Sequence, residues 1–189
     1  MTDPLQFLFA VVLLLAVPGP TNTVMATAGA VNRGEGPWRF MAAELAGYLA
    51  IVALARLVLL PLIDAWPVAG IALKLLVVAY LLYAAFRLWR TPIALDERRR
   101  ISPWLVATTT LLNPKGLIFA LSVIPRAHEA LWVYFVAFAI LVLAIGCAWF
   151  LGGRTLAIVS GKRAGMLPRV GAVALTGFAA YLAWSLAAG

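Results

Sequence analysis

Six stretches of this chain, at about residues 5–29, 41–63, 67–89, 103–124, 131–151 and 166–187, are almost wholly apolar. A helix of roughly 20 apolar residues matches the hydrocarbon core of a bilayer. Hydrocarbon offers no water to peptide groups, so a chain crossing it must close its own hydrogen bonds as helices or as a barrel. Barrel strands are shorter and alternate in polarity, and no such alternation runs through these stretches. The expected fold is therefore all-α and polytopic, with six transmembrane helices. Composition agrees. Only 12% of the residues are charged and 65% are hydrophobic, against about 25% charged in a soluble domain. The 189 residues are read as a single transmembrane domain, 1–189, without a separate soluble one.

Charge sets the expected orientation. With the helices numbered in order, the loops after the first, third and fifth carry Arg33, Arg39, Arg87, Arg90, Arg98, Arg99, Arg100, Arg154, Lys162, Arg163 and Arg169. The opposite side carries only Arg126, while Arg56, Lys74 and Lys115 fall inside apolar stretches. Cytoplasmic loops are the basic ones, so both termini are expected outside a bacterial inner (plasma) membrane. The net charge of +8 is then a topology signal. A nucleic-acid role would need a basic face on a soluble module, and no nucleic-acid partner is expected. The run DERRR (96–100) reads as a solvated cytoplasmic loop, or one that touches anionic lipid headgroups. The ATA at 26–28 resembles a signal-peptidase site, but the preceding segment has Asp3 and no Lys or Arg, so it is expected to stay as the first span. Cys147 and His128 are the only residues of their kinds. No intramolecular disulfide and no His/Cys metal site is expected, and no cofactor; Cys147 is read as a packing residue.

Two of the stretches are interrupted in the middle. The first contains Pro18-Gly19-Pro20, followed by Thr21 and Asn22; the fourth contains Asn113-Pro114-Lys115. VVAYLLYAAF (77–86) also resembles FAAYLAWSLA (178–187). Together these define two halves, about 1–95 and 101–189, of three helices each. An odd number of spans per copy makes the second copy inverted, and broken helices near the midplane of inverted repeats are a common transporter architecture. Proline removes an N–H and clashes with the carbonyl four residues back. The carbonyls freed at a break can hold a cation or ammonium group, and the next half-helix offers N–H groups and a positive dipole end to a carboxylate. A zwitterionic amino acid carries one group of each kind.

Lys115 lies about ten residues from either end of its stretch, too deep to snorkel, and is expected to face a polar cavity or a carboxylate. Glu44 is the one acid inside a stretch; it is a candidate proton carrier, a partner for Lys115, or an interfacial partner of Arg39. Arg56 and Lys74 are expected to snorkel outward, with Asp64 pairing with either. Ala42, Ala43, Ala46, Gly47 and Ala50 form a small-residue face suited to close helix packing, compatible with a homodimer. Trp38, Trp66, Trp89, Trp104 and Trp132 are read as an interfacial belt.

These motifs resemble those of the LysE/RhtB family of bacterial amino-acid exporters. The likeness covers nearly the whole chain: Pro18-Gly19-Pro20 in the first helix, NRGEG (32–36), Leu73-Lys74 with Tyr80-Leu81, and Asn113-Pro114-Lys115 followed by Pro125. It implies proton-driven export of amino acids or similar small polar metabolites. The pathway would then comprise Pro18, Gly19, Pro20, Thr21, Asn22, Glu44, Asn113, Pro114 and Lys115. Thr21 stands where relatives usually have Asn or Asp, Arg126 where they often have Gln, and Glu44 and Tyr48 where they often have Gly, so substrate identity does not carry over. Three other classes fit less well. A thiol–disulfide relay enzyme needs paired cysteines, and an intramembrane protease needs a Ser-His or paired-Asp set. An inorganic-ion exporter of soft metals would want Cys or His ligands. A non-transporting assembly subunit leaves Lys115 without a purpose. The expected partners are a small-molecule substrate and membrane lipid, and no enzymatic activity is expected.

Overall fold

The computed structural model describes residues 3–32, 34–90, 100–126 and 129–159, together with residues 172–173, 176–177, 179–180 and 183–184. Arg33, His128, most of DERRR, Lys162, Arg163, Arg169 and much of the sixth stretch lie outside the described residues. Among the described residues the chain is helical, without strands: α1 (Pro4–Ala16), α2 (Pro20–Val31), α3 (Trp38–Leu54), α4 (Leu60–Ala65), α5 (Pro67–Arg90), α6 (Pro103–Leu111), α7 (Pro114–Ile118) and α8 (Leu131–Val159).

Two helical spans are long and apolar enough to cross a membrane, Trp38–Ala65 and Leu131–Thr155. Two bent pairs raise the number to four: α1 with α2 at 59°, and α6 with α7 and its continuation to Val123 at 50°. Both bends lie at the expected prolines. Asp3 starts α1 by accepting from the Leu5 N–H at 2.8 Å and the Gln6 N–H at 3.3 Å, meeting two orphan donors of the first turn.

Two five-residue π-helical turns occur, at Ala55–Leu59 and Phe119–Val123. Each is followed by one residue and then a proline, Pro61 or Pro125. The Leu60 N–H returns to the Ala55 carbonyl, and the Ile124 N–H to the Phe119 carbonyl at 2.8 Å. The wider turn places the last available donor before a residue that has none. The two turns lie against each other.

The main core joins α1, α3, α8 and the second π turn. Phe7, Val11 and Leu15 meet Tyr48, Ile51, Phe119, Phe138 and Val142. Their four-residue spacing marks one buried stripe on α1. The opposite side of α1 is equally apolar: Leu5, Phe9 and Leu13 are exposed. A helix apolar all round with one face packed fits a hydrocarbon surrounding. All five Trp named above are exposed, each beside a helix end, as an interfacial belt requires. Val77, Leu81 and Ala85 of α5 pack against Ala172 and Ala179.

Close approach of helices is set by glycine at a few points. A side chain on Gly29 would meet the Phe150 carbonyl, and one on Gly153 the Ala26 carbonyl, so α2 and α8 lie backbone against backbone. Gly47 does the same for α3 and α6 at the Ala107 carbonyl and Thr110. The small-residue face of the second span is thus corrected: Gly47 alone is buried in it, while Ala42, Ala46 and Ala50 point outward, because one glycine suffices to admit α6. Gly152 meets nothing within 4 Å. Gly153→Ala is expected to lower the thermal unfolding midpoint in detergent by an overpacking cost of about 1–3 kcal/mol. Gly152→Ala should leave the midpoint unchanged or raise it, since Ala is the better helix former by up to about 1 kcal/mol.

Candidate functional site

In an unbroken helix the Leu14 and Ala16 carbonyls would bond the N–H groups of residues 18 and 20; both are prolines and have none. Gly19, in extended conformation, takes the chain out of helix and carries the Leu15 and Val17 carbonyls with it. The Asn22 amide reaches back from α2 and donates to both, at 2.7 Å to Leu15 and 2.9 Å to Val17. The Lys115 ammonium donates to the same Val17 carbonyl from the other broken pair. It lies beside Gly19, where an added Cβ would be 3.3 Å from Lys115 Cε and Nζ.

The second break repairs itself locally. Pro114 removes the donor for the Thr110 carbonyl, and the Asn113 N–H takes its place at 3.0 Å. Asn113 then caps α7: its Oδ1 accepts from the Lys115 N–H at 3.1 Å, and its carbonyl from the Gly116 N–H at 3.0 Å. The Asn113 amide also donates to the Thr21 hydroxyl at 2.8 Å, tying the two breaks together. The two asparagines therefore do unlike work, Asn113 as an N-cap and Asn22 as a substitute for missing backbone donors. This corrects the expectation of freed carbonyls open to an outside cation, because the chain's own ammonium and amide hold them. The α7 N–H groups at Lys115 and Gly116 are likewise taken by Asn113.

Glu44 is buried on α3, and its Oε2 has no hydrogen-bond partner. The carboxylate lies against Gly146 of α8, in space a Cβ there would fill. It interacts electrostatically with Lys115 without a contact ion pair. It does not pair with Arg39, which reaches Glu35 at 3.9 Å; five residues on a helix point the two side chains apart. One turn further on, Tyr48 is fully buried among Phe119 and Phe138, with its hydroxyl unpartnered. The four-residue spacing of Glu44 and Tyr48 is the sequence signal that could have marked Tyr48 as part of this site. Thr21, Asn22, Glu44, Asn113 and Lys115 are all at most 4% exposed. The structure buries all five, with Thr21, Asn22, Asn113 and Lys115 at the two breaks formed by Pro18, Gly19, Pro20 and Pro114.

Both ends of this cluster are tied. On the side of the basic loops, the Asn32 side chain exchanges bonds with the Ile101 backbone at 2.9 and 3.0 Å. Glu35 lies 3.6 Å from Arg100, and its carbonyl accepts from Arg154 at 2.6 Å. Sequence reasoning missed Glu35; an acid set among basic loops was the available signal. At the other end Asp64 pairs with Arg126 at 3.0 Å, not with Arg56 or Lys74. Arg56 extends toward this end, as a structural residue there would. It donates to the Pro125 and Arg126 carbonyls at 2.9 and 2.8 Å, and so caps the end of the second π turn.

Compared with protein-family models, curated proteins and solved structures, the chain finds no match in any of the three. The likeness to LysE/RhtB exporters rests on the motifs quoted above.

Asn22→Leu strands the Leu15 carbonyl in an apolar setting. It is expected to cost about 1–3 kcal/mol, read as a lower unfolding midpoint in detergent. Thr155→Val, which removes an exposed hydroxyl bonded to its own helix, should leave the midpoint unmoved.

Proposed function

We propose that the chain is a secondary active transporter of the LysE/RhtB type that exports amino acids or similar small polar metabolites from the cytoplasm in exchange for protons. The observation that carries this reading is the Lys115 ammonium on the Val17 carbonyl, within the field of Glu44. A buried ammonium, a carboxylate and the Val17 carbonyl that the ammonium occupies form a charge-balanced set that a zwitterion can enter by exchange. Its ammonium replaces that of Lys115 at Val17, and its carboxylate joins Lys115. Glu44 is then the group that takes up and releases the proton.

The architecture proposed with it is six spans in two inverted halves, about 1–95 and 101–189, with both termini outside the bacterial inner membrane. The matched bends of 59° and 50° support it. So does the second half-helix of each pair, which opens on a proline, Pro20 or Pro114. The packing of Ala172 and Ala179 on α5 supports pairing of the third and sixth spans.

The test is efflux from proteoliposomes loaded with a panel of amino acids. Export should accelerate when the side receiving substrate is made more acidic. Lys115→Met removes a charge-assisted bond worth about 1.5–3 kcal/mol and is expected to slow efflux about tenfold or more. Glu44→Gln should leave exchange of one amino acid for another while abolishing its dependence on the proton gradient. Absence of transport across the panel, or wild-type rates in both variants, sinks the proposal.

A further inference from the structure

A cavity of about 300 Å³ lies between α4, α5 and the α7 segment. Leu73 and Val77 line one wall, Leu117 and Leu121 the other, and Lys74, Ser122 and Arg126 supply its polar groups. Nothing in the transport site uses it. We infer that this cavity holds an anionic phospholipid, its phosphate between Lys74 and Arg126 and part of an acyl chain along Leu73, Val77, Leu117 and Leu121.

Charge comes first. Arg56, Lys74 and Arg126 share this end of the molecule with the described acids Asp3, Asp64 and Glu129, and Arg126 engages Asp64. Lys74 has no ion pair among the described residues. The cavity wall itself holds two cations, Lys74 and Arg126, and no acid.

Depth comes second. Lys74 lies seven residues into α5, about 10 Å along the helix at 1.5 Å per residue. On the proposed topology, on which the inference rests, that is below the headgroup level. An ammonium there needs an anion or a route to water. The surrounding surface favours lipid as the source. Ile71, Leu75 and Leu76 beside Lys74 are 53%, 56% and 67% exposed, so the residues flanking it are apolar. A lipid reaches such a mouth by lateral diffusion, whereas a soluble anion must leave water to do so. The volume suits a headgroup phosphate with a stretch of one chain, and a pocket of this size with few convergent polar groups is typical of small-ligand sites.

The occupant would also bear on the transport site. Leu117 lies two residues after Lys115 on α7, so filling the cavity supports the segment that positions the ammonium.

Native mass spectrometry of the purified, delipidated chain tests this without any transport assay, so its failure leaves the transport reading standing and the reverse holds too. Phosphatidylglycerol, phosphatidylcholine and inorganic phosphate are added in separate arms. Phosphatidylglycerol should be retained in preference to phosphatidylcholine, and Lys74→Gln should weaken retention about fivefold, the effect of one lysine near a membrane phosphate. Leu121→Trp, which fills the cavity and leaves Lys74 intact, should also release the lipid, and Arg39→Gln at the opposite end should not. Equal retention of phosphatidylcholine, or retention of phosphatidylglycerol unchanged in both cavity variants, overturns the inference. So does displacement of phosphatidylglycerol by inorganic phosphate, which would make this a soluble-anion site, and so does a dimer that excludes lipid from the cavity.

Discussion

The Val17 carbonyl is the point on which the rest of the structure depends. Two prolines and a glycine open the first helix in an apolar interior, where an unpaired backbone group costs several kcal/mol. The break persists because donors from elsewhere converge on it, Asn22 from the next turn and Lys115 from a different helix pair. The second break needs no such help, since Asn113 closes it within a few residues. The two breaks are alike in shape and unlike in dependence. The first is completed by a charge that the second supplies.

That asymmetry links packing to the proposed transport. A carbonyl held by a side-chain ammonium is a site that another ammonium can contest. On that proposal Lys115 would leave a charge-assisted bond and gain one on the incoming carboxylate, so that neither group would be left unpaired in the interior. Glu44 interacts electrostatically with Lys115 without a contact ion pair, and its Oε2 has no hydrogen-bond partner. The glycines at 19 and 146 keep this volume clear, the first beside the ammonium and the second beside the carboxylate.

Much of this was legible in the residues. The first four apolar stretches anticipated their helical segments to within three residues, because a long apolar run leaves the backbone no partner but itself; the fifth gave the start of α8, which continues eight residues further to Val159. Proline marks a break wherever it falls inside such a run, so Pro18, Pro20 and Pro114 could be read without any tertiary knowledge. Partner choice could not. Asp64 is near Arg56 in the chain and bonds Arg126, because the end of α4 lies against the end of the second π turn. Arg56 turns its Nη2 to the Pro125 and Arg126 carbonyls instead. Asn22 and Asn113 look equivalent in the sequence, yet one precedes its helix start and the other follows it, and that offset decides whether the amide caps forward or reaches back. Helix-face arguments failed for Ala42, Ala46 and Ala50, since nothing local says which side of an all-apolar helix meets a neighbour.

The bond between Lys115 and Val17 can be observed directly. In the ligand-free protein in bilayers, with lysine side-chain nitrogen and valine carbonyl carbon isotopically labelled, solid-state NMR dipolar recoupling reports whether the two are in contact. The account predicts a lysine–valine cross-peak that is absent from Lys115→Met and that fades when a transported amino acid is added. A Lys115 ammonium that shows contacts to water and none to valine would contradict it.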